Sequence, residues 1–445
     1  MNPGLVVKLR PAGPWRIGPD SGARNRVDSI YHSDSLFSAV ASAMARLGSL
    51  DDWLSATARA AAPAVSFSSC FPFLDEIGFV VPPRTIWPPA TPALLAARVR
   101  WKSARFVPLG IVQAMLAGQT LDEHQWTVDG PSECLVPAGR PGPFRIDTRW
   151  NAAVDRLTGS SERHSTACLE FRPGAGLWTV ISFLDDAARD RWLEPVKAAF
   201  RLLADTGFGG ERSRGWGRSE APEFLEGQLP DMILPPPAAQ AEPVPESVPA
   251  PAEAPPAVEA AEVAAAEAAV EALPAAAAPA VEPEAPAEES PAGVEQHEPA
   301  LLLAAAPEQF ALESGRERLA LESAYEPPAP VEVAPAVVEE PAPVAASVPE
   351  GVQLHWLLSL FSPAPGDAVD WTRGDYAVLP RGGRVESPAG SGELKKLVQM
   401  VTEGSVLCGG GALTGAAPDV APDGFAHPVF RAGFAVAIPL TGVRS

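Results

Sequence analysis

The residues best suited to chemistry lie in one short stretch, residues 206–218, which combines glycines, arginines and two aromatic side chains. Glycine permits positive φ and close backbone approach, and arginine presents a planar fork that matches phosphate. The stretch follows a helical pattern and lacks the Lys-Ser/Thr pair of a P-loop, so it is not a nucleotide-binding fingerprint. It indicates a cradle for a polyanion, with a solvated glycine-rich turn as the alternative. Its candidate residues are Gly207, Phe208, Gly209, Gly210, Glu211, Arg212, Ser213, Arg214, Gly215, Trp216 and Gly217.

A second candidate is His32, which stands directly before a helical pattern. Apolar residues at 36, 37, 40, 41, 44 and 47 share one helical face, so we predict a helix with Ser33 or Asp34 as N-cap and Gly48 as C′. His32 could act as a general acid or base beside a phosphodiester. However, a histidine before an N-cap is more often a structural hydrogen-bonding group, and no second titrating partner stands at a fixed spacing.

Two further basic stretches could follow a phosphate backbone. Residues 140–172 form a turn-rich excursion that includes Arg149 and Arg156. Residues 98–108 alternate basic and apolar side chains, which predicts a strand with one basic face. An exposed strand with solvated charges explains the second pattern equally well.

Around these candidates the first half of the chain shows a regular order of elements. A strand is expected at 5–9, and a hairpin is expected to join residues 167–171 to 177–183. A helix capped by Asp185 should run to Ala204 and lead into the glycine-rich stretch, after which residues 216–224 return as a strand. Together with the helix after His32, this order predicts the βαββαβ plan.

The second half of the chain is expected to repeat the scheme. A strand is expected at 353–361, a helix at 394–402 and a closing strand at 425–440, with Gly409, Gly410 and Gly411 after the helix. The fold class predicted from the residues is therefore α+β, with two tandem units.

An acidic insert separates the two units. Residues 228–350 contain 23 acidic and two basic residues and 24 of the 51 prolines, whereas the remainder has 32 residues of each charge. The net charge of −21 thus belongs to the insert and does not argue against nucleic-acid binding elsewhere. We expect this Pro/Ala/Glu-rich segment to be disordered and to act as a solvated spacer rather than a docking tail.

The cysteines and the lengths of the apolar segments indicate the compartment in which the protein works. The four cysteines are far apart and form no metal-ligand spacing, which indicates buried thiols in a reducing compartment. No apolar segment long enough to span a membrane is present. We expect a cytoplasmic protein without cofactor or metal.

Three motifs, at residues 32–39, 207–217 and 427–434, occur in this order and bracket nearly all of the chain outside the insert. In combination they resemble the RAMP superfamily, specifically the fourth subunit of the type III-A CRISPR effector, the Csm complex, in the Cas5-like group. The resemblance covers residues 1–227 and 351–445. The long insert is a departure from the family pattern, and the resemblance implies nothing about its role.

The resemblance implies two ferredoxin-like (RRM-like) domains, at 1–227 and 351–445, separated by the insert at 228–350. It also implies a subunit that caps the guide RNA at its repeat-derived 5′ handle. The implied partners are the guide RNA, the large palm-domain subunit and the backbone RAMP subunit. In the family this subunit is not the nuclease, so we expect no catalytic activity in antiviral defence.

Combining the residues with the resemblance gives a specific hypothesis. Backbone N–H groups of the glycine-rich stretch, with Arg212 and Arg214, hold phosphates, and Phe208 or Trp216 stacks on a base. His32, Ser33 and Asp34 at the helix start, with Arg149 and Arg156, line the same groove. Two alternatives stay open: an endoribonuclease that processes precursor guide RNA through His32, and a scaffold whose glycines contact protein.

Overall fold

An antiparallel sheet of seven strands carries the part of the chain that precedes the insert. The computed structural model describes residues 2–18, 23–89, 94–235, 353–387 and 390–440. The strands before the insert are β1 (Asn2–Leu9), β2 (Val65–Phe67), β3 (Phe71–Leu74), β4 (Ile77–Val80), β5 (Val107–Pro108), β6 (Trp126–Asp129), β7 (Cys134–Pro137), β8 (Phe144–Val154), β9 (Ser161–Phe171), β10 (Ala175–Phe183) and β11 (Glu223–Leu229).

The order of this sheet is β11-β1-β10-β3-β4-β5, with β2 also paired to β10. The last strand, β11, therefore lies beside the first, and β10 lies between β1 and the β2–β3 segment. Leu5, Val7 and Leu9 on β1 are fully buried, as are Val180 and Ile181 on β10. Burial of apolar side chains on these central strands stabilises the sheet at about 25 cal/mol per Å² of apolar surface.

Five helices accompany this sheet: α1 (Ser33–Arg46), α2 (Leu50–Ala56), α3 (Leu95–Trp101), α4 (Leu109–Leu116) and α5 (Asp186–Thr206). The predictions of α1 and α5 are confirmed. Asp185 caps α5 by accepting a hydrogen bond from the amide of Ala188 (2.7 Å). α1 begins one residue earlier than expected, with His32 at the N-cap position, and Gly48 follows its end with φ +78°.

Two predictions in this half are wrong, and a third is displaced, because the strand expected at 216–224 begins only at Glu223 and runs to Leu229. Residues 167–171 do not form a hairpin with β10, because β9 pairs along its whole length with β8. The β8–β9 pair is a two-stranded ribbon, here called the arm. Residues 98–108 are not a continuous strand either, since α3 takes up the first residues and only Val107–Pro108 joins the sheet.

The part of the chain after the insert forms a second antiparallel sheet of β12 (Gln353–Leu357), β13 (Val369–Asp375), β18 (Val406–Gly409) and β21 (Ala437–Leu440), in the order β13-β18-β12-β21. As in the first sheet, the last strand pairs with the first, here β21 with β12, and β12 pairs on its other side with β18. The other strands of this part form two-stranded pairs outside that sheet: β14 (Val378–Arg381), β15 (Arg384–Ser387), β16 (Gly390–Leu394), β17 (Val398–Val401), β19 (Gly415–Ala416) and β20 (Gly433–Phe434).

The helix predicted at 394–402 is wrong, because this segment belongs to strands. β17 pairs with β14, and β16 pairs with β15. Leu394 and Leu397, which a helix would have turned toward the core, are each 67% exposed, whereas Met400 and Val401 are buried. The described residues combine helices and sheets, as the predicted α+β class requires, but those after the insert contain no helix.

The two sheets share one hydrophobic core. The ring of Phe434 meets Phe37 of α1 edge to face at 5.7 Å between centroids. The indole of Trp356 on β12 donates to the carbonyl oxygen of Val81 (3.1 Å). The amide of Ser69 donates to the carbonyl oxygen of Leu358 (2.9 Å). These contacts belong to one compact unit that takes in both ends of the chain.

The remaining expectations concern the insert, the thiols and membranes. The boundary predicted at residue 227 falls inside β11, and the insert from residue 236 onward lies outside the described residues. All four cysteines are free and buried. No helix in the described part of the chain is long and apolar enough to cross a bilayer.

Candidate nucleic-acid interface

The glycine-rich loop, residues 207–218, leaves the end of α5 and folds back on itself. Gly207 takes φ +76° and Gly217 takes φ +78°, values that favour glycine. A Cβ on Gly207 would lie 2.5 Å from the carbonyl oxygen of Trp216, and one on Gly217 would overlap the carbonyl oxygen of Phe208. Both glycines are therefore required by the loop's own close packing.

Most of the loop amides already have partners within the protein. The amide of Gly210 donates to the carbonyl oxygen of Arg16 (2.8 Å), and that of Gly217 donates to Pro14 (3.0 Å). The amide of Gly215 donates to the carbonyl oxygen of Arg212 (2.9 Å). These bonds disfavour the predicted phosphate contacts of the three amides, because each amide would first have to break a protein hydrogen bond.

Phe208 is part of the core rather than a surface for a base. Its side chain is 2% exposed and its ring lies edge to face with Trp15 (4.6 Å) and Tyr31 (5.1 Å). The predicted stacking of Phe208 on RNA stays a prediction, and this packing disfavours it. Trp216, the other aromatic residue of the loop, is only half-buried and is the better candidate for stacking on a base.

What the loop presents to solvent is a short turn of 3₁₀ helix, Arg212–Arg214. Arg212, Ser213 and Arg214 are all exposed. Glu211 precedes the turn in the left-handed conformation, and its carboxylate lies 3.2 Å from the guanidinium of Arg214. The loop therefore supplies exposed arginines on a tightly held backbone, which suits a phosphate ligand.

The motif His32-Ser33-Asp34 does not line a groove. These three residues are 3%, 4% and 2% exposed and lie where α1 meets the segment after β12. The amide of Leu360 donates to the hydroxyl oxygen of Ser33 (3.0 Å), whose own amide donates to the hydroxyl oxygen of Ser69 (2.9 Å). In this structure the motif joins the two halves of the chain, an arrangement that disfavours the predicted contact of these residues with RNA.

Asp34 forms the centre of this junction. Its carboxylate accepts hydrogen bonds from Arg381 at 2.9 and 3.1 Å and a further short one from Arg431. Burial alone would raise the pKa of Asp34, but the two guanidinium groups outweigh it and lower the pKa to about 2. Asp34 is therefore ionised and paired at neutral pH.

His32 is held between two carboxylates. Its Nδ1 lies 2.8 Å from Glu403, and its Nε2 lies 3.4 Å from Asp28. Burial alone would lower the pKa of His32, but Glu403 and Asp28 raise it to about 9. A cationic, enclosed imidazole at neutral pH is poorly placed to act as a general base.

The arm carries Arg149 and Arg156, both exposed. The guanidinium of Arg149 pairs with Glu170 across the ribbon and lies 3.5 Å from Asp147. The opposite face of β8 exposes apolar side chains, which include Trp150 at 73% and Val154 at 62%. The arm therefore has one charged face and one face with an exposed aromatic ring.

Sequence reasoning missed several residues of these arrangements. Arg381 and Glu403 gave no local signal, because their partners lie more than 300 positions away along the chain. Arg431 stood inside a quoted motif, but nothing in the sequence connected it with Asp34. Trp150 could have been noticed as an aromatic residue in an otherwise polar, basic stretch.

Comparison with known proteins addresses the resemblance directly. Residues 350–440 match the family model described as the CRISPR Csm4 C-terminal domain. This part of the chain is similar to the Csm4 C-terminal domain. The match confirms the resemblance to the RAMP subunit of the type III-A Csm complex, on the segment that contains β12–β21.

Solved structures similar to this chain also include Csm4. One is the Csm3–Csm4 subcomplex of the type III-A CRISPR-Cas interference complex, at 11% identity over 98% of this chain and 99% of that chain, with a TM-score of 0.48. Another is the Csm1–Csm4 cassette in complex with cA4, at 12% identity over 98% and 97% of the two chains, with a TM-score of 0.45. No curated protein matches the sequence.

Proposed function

We propose that this protein is a non-catalytic, RNA-binding subunit of a type III-A CRISPR effector, which holds the 5′ repeat-derived handle of the guide RNA. The observation that carries the proposal is the exposed Arg212–Arg214 turn on a loop whose backbone is held by internal hydrogen bonds. A rigid backbone reduces the entropy lost when arginines bind phosphate. The similarity of residues 350–440 to the Csm4 C-terminal domain supplies the biological setting.

The arm provides the second part of the proposed surface. Arg149 and Arg156 offer positive charge, and Trp150 offers an exposed ring on the other face of the same ribbon. Single-stranded RNA is recognised by such combinations, since unpaired bases stack on aromatic rings while cations contact the backbone. In this proposal the arginines of the loop and of the arm contact phosphates, and Trp150 stacks on a base.

We further propose that both sheets are ferredoxin-like, as tandem RAMP domains would be. In each sheet the last strand pairs with the first, as β11 with β1 and β21 with β12. On its other side, the first strand of each sheet pairs with a later strand, β1 with β10 and β12 with β18. The second domain keeps this strand order while hairpins and loops stand where helices would cross the sheet.

The proposed partners follow from the family of the C-terminal domain. They are the large palm-domain subunit, the backbone RAMP subunit and the guide RNA, with this chain connecting the first two. Csm1 and Csm3 accompany Csm4 in the solved structures named above. Copurification of the full chain with each candidate subunit, with and without RNA, tests these pairings.

The endoribonuclease alternative depends on His32, and its geometry disfavours that role. The ring is 3% exposed and both of its nitrogens face carboxylates. Incubating the purified protein with a repeat RNA in the absence of metal distinguishes the two functions. Binding without cleavage is expected, whereas cleavage that is lost in a folded His32→Ala variant would establish the alternative.

The main test measures binding of a fluorescent, single-stranded repeat RNA by the full chain at several salt concentrations. Arg212→Ala combined with Arg214→Ala should weaken binding and reduce the slope of log K against log salt by about 1.4, since each phosphate contact to a single strand contributes about 0.7. The matched control is Arg46→Ala with Arg59→Ala, which removes the same charge from two exposed positions, one on α1 and one in the turn after α2. Equal slopes for the loop variant and the wild type would refute the proposal.

A further inference from the structure

Residues 14–17 form an extended segment that lies between the glycine-rich loop and the arm. On one side, Trp15 exchanges backbone hydrogen bonds with Leu169 of β9 (2.7 and 3.0 Å). On the other side, the carbonyl oxygen of Arg16 accepts the amide of Gly210 (2.8 Å). The segment therefore connects the two elements of the proposed RNA surface through its backbone.

The side chain of Arg16 adds a third element. Arg16 is 7% exposed, and its guanidinium donates to the carbonyl oxygens of Ala23 (3.0 Å), Arg24 (2.9 Å) and, on β9, Ala167 (2.9 Å). A weaker bond reaches the carbonyl oxygen of Arg26 (3.3 Å). One planar group thus holds the turn at 23–26 against the base of the arm.

This turn directs charge outward while its carbonyl oxygens face Arg16. Arg24, Asn25 and Arg26 are exposed. The amide of Ala167 also donates to the carbonyl oxygen of Arg24 (2.9 Å), which fastens the turn to β9 a second time. The two exposed arginines are therefore attached to the same framework that carries Arg212 and Arg214.

We propose that Arg16 is a positioning residue that joins the 23–26 turn, the arm and the glycine-rich loop into one RNA-binding surface, in which Arg24 and Arg26 contact phosphates. The inference rests on the proposed function and extends it to residues outside the loop and the arm. It also explains the small side chain at position 210, because a Cβ on Gly210 would lie 3.0 Å from Cδ of Arg16.

The geometry of the guanidinium, and not only its charge, is required. Carbonyl acceptors on the turn and on β9 are reached from two terminal nitrogens held in one plane. A lysine ammonium is a single point with three donors and cannot span the same set of acceptors. Arg16→Lys should therefore lose the positioning function while keeping the positive charge.

The test uses the full chain and the same fluorescent, single-stranded repeat RNA. Arg24→Ala with Arg26→Ala keeps every carbonyl bonded to Arg16, so its unfolding temperature should match the wild type while its salt slope falls by about 1.4. Arg16→Lys and Arg16→Met should both reduce the slope, measured well below their unfolding temperatures. Hydrogen exchange in these two variants should rise at residues 23–26 and 166–169.

Each result has a defined meaning. An unchanged salt slope for the Arg24/Arg26 variant overturns the inference, as do Arg16 variants that lower the unfolding temperature without altering the slope. A slope that falls in Arg16→Met but not in Arg16→Lys also overturns it, because charge alone would then be sufficient. Failure of the wild type to bind the RNA refutes the proposed function itself, and this inference with it.

Discussion

The buried carboxylate of Asp34 gives the sharpest prediction about the junction of the two halves. Asp34→Asn preserves the shape of the side chain but removes the charge that pairs with Arg381 and Arg431. Both guanidinium groups are only 7% exposed and would remain buried without their anion. Breaking a buried pair in this way costs about 3–5 kcal/mol. For a unit of this size the unfolding temperature should fall by on the order of 10 °C.

Thermal unfolding followed by circular dichroism measures this effect directly. The matched control is Asp51→Asn on α2, whose carboxylate is 94% exposed and lies 3.8 Å from Arg59. Exposed pairs contribute about 0–1 kcal/mol, so the control should unfold close to the wild type. A loss below about 1 kcal/mol in Asp34→Asn would refute the view that this network stabilises the junction of the two halves.

A compensated variant separates lost charge pairing from lost packing. Asp34→Leu combined with Arg381→Met and Arg431→Met replaces the whole network with apolar side chains. Such replacements are often neutral or stabilising, so this triple variant should unfold at a higher temperature than Asp34→Asn. If it unfolds at a lower temperature, the carboxylate serves a role beyond neutralising the two arginines.

Three further predictions concern His32, the loop and the arm. The pKa of His32 is raised from 6.5 to about 9 in the folded state, so its contribution to stability is complete below pH 6.5 and is lost as the pH rises through 9. In urea titrations, the free energy of unfolding should decline over that interval in the wild type and stay level in His32→Gln. Gly217→Ala should destabilise by about 1–3 kcal/mol or more, because strain and overlap with Phe208 combine, whereas Gly215→Ala, with similar φ but open space around its Cβ, should cost less in the same assay. Trp150→Ala should weaken RNA binding by about 1–3 kcal/mol without lowering the unfolding temperature, with Val154→Ala as the control on the same face of the arm.

The elements that the sequence predicted correctly are those with strong local signals. α1 and α5 combine a helical apolar face with a recognisable terminus, Gly48 in one case and Asp185 in the other. β1 is a short apolar run before a proline. Such patterns depend on neighbours in the chain, so they survive whatever tertiary partners are present.

The elements that were predicted wrongly depended on distant partners. The turn residues at 173–176 indicated a hairpin between residues 167–171 and β10, yet β9 pairs with β8, the strand that precedes it in the chain. Residues 394–402 had helical spacing, but pairing with Val378–Arg381 set the conformation. Local spacing could not reveal either partner, because short apolar runs are compatible with helix and strand.

In the candidate site, too, features with a local sequence signal were predicted and features set by distant residues were not. The exposure of Arg212 and Arg214 agrees with their expected role as ligands for a polyanion, since glycine-rich, arginine-bearing loops are short-range features. The burial of Phe208 and the occupied amides could not be foreseen, because their partners Trp15, Pro14 and Arg16 come from the other end of the domain.

The motifs that carried the resemblance turn out to meet inside the molecule. Asp34 from the first contacts Arg431 from the third, and Phe208 from the second packs on Tyr31, next to the first. The first and third motifs therefore join the two halves of the chain, whereas the second motif is packed within the first half and exposes the arginines that we propose as RNA ligands. It follows that a loss of RNA binding in an Asp34 or Phe208 variant does not identify a contact residue. Only variants that change the salt slope while leaving the unfolding temperature intact do so.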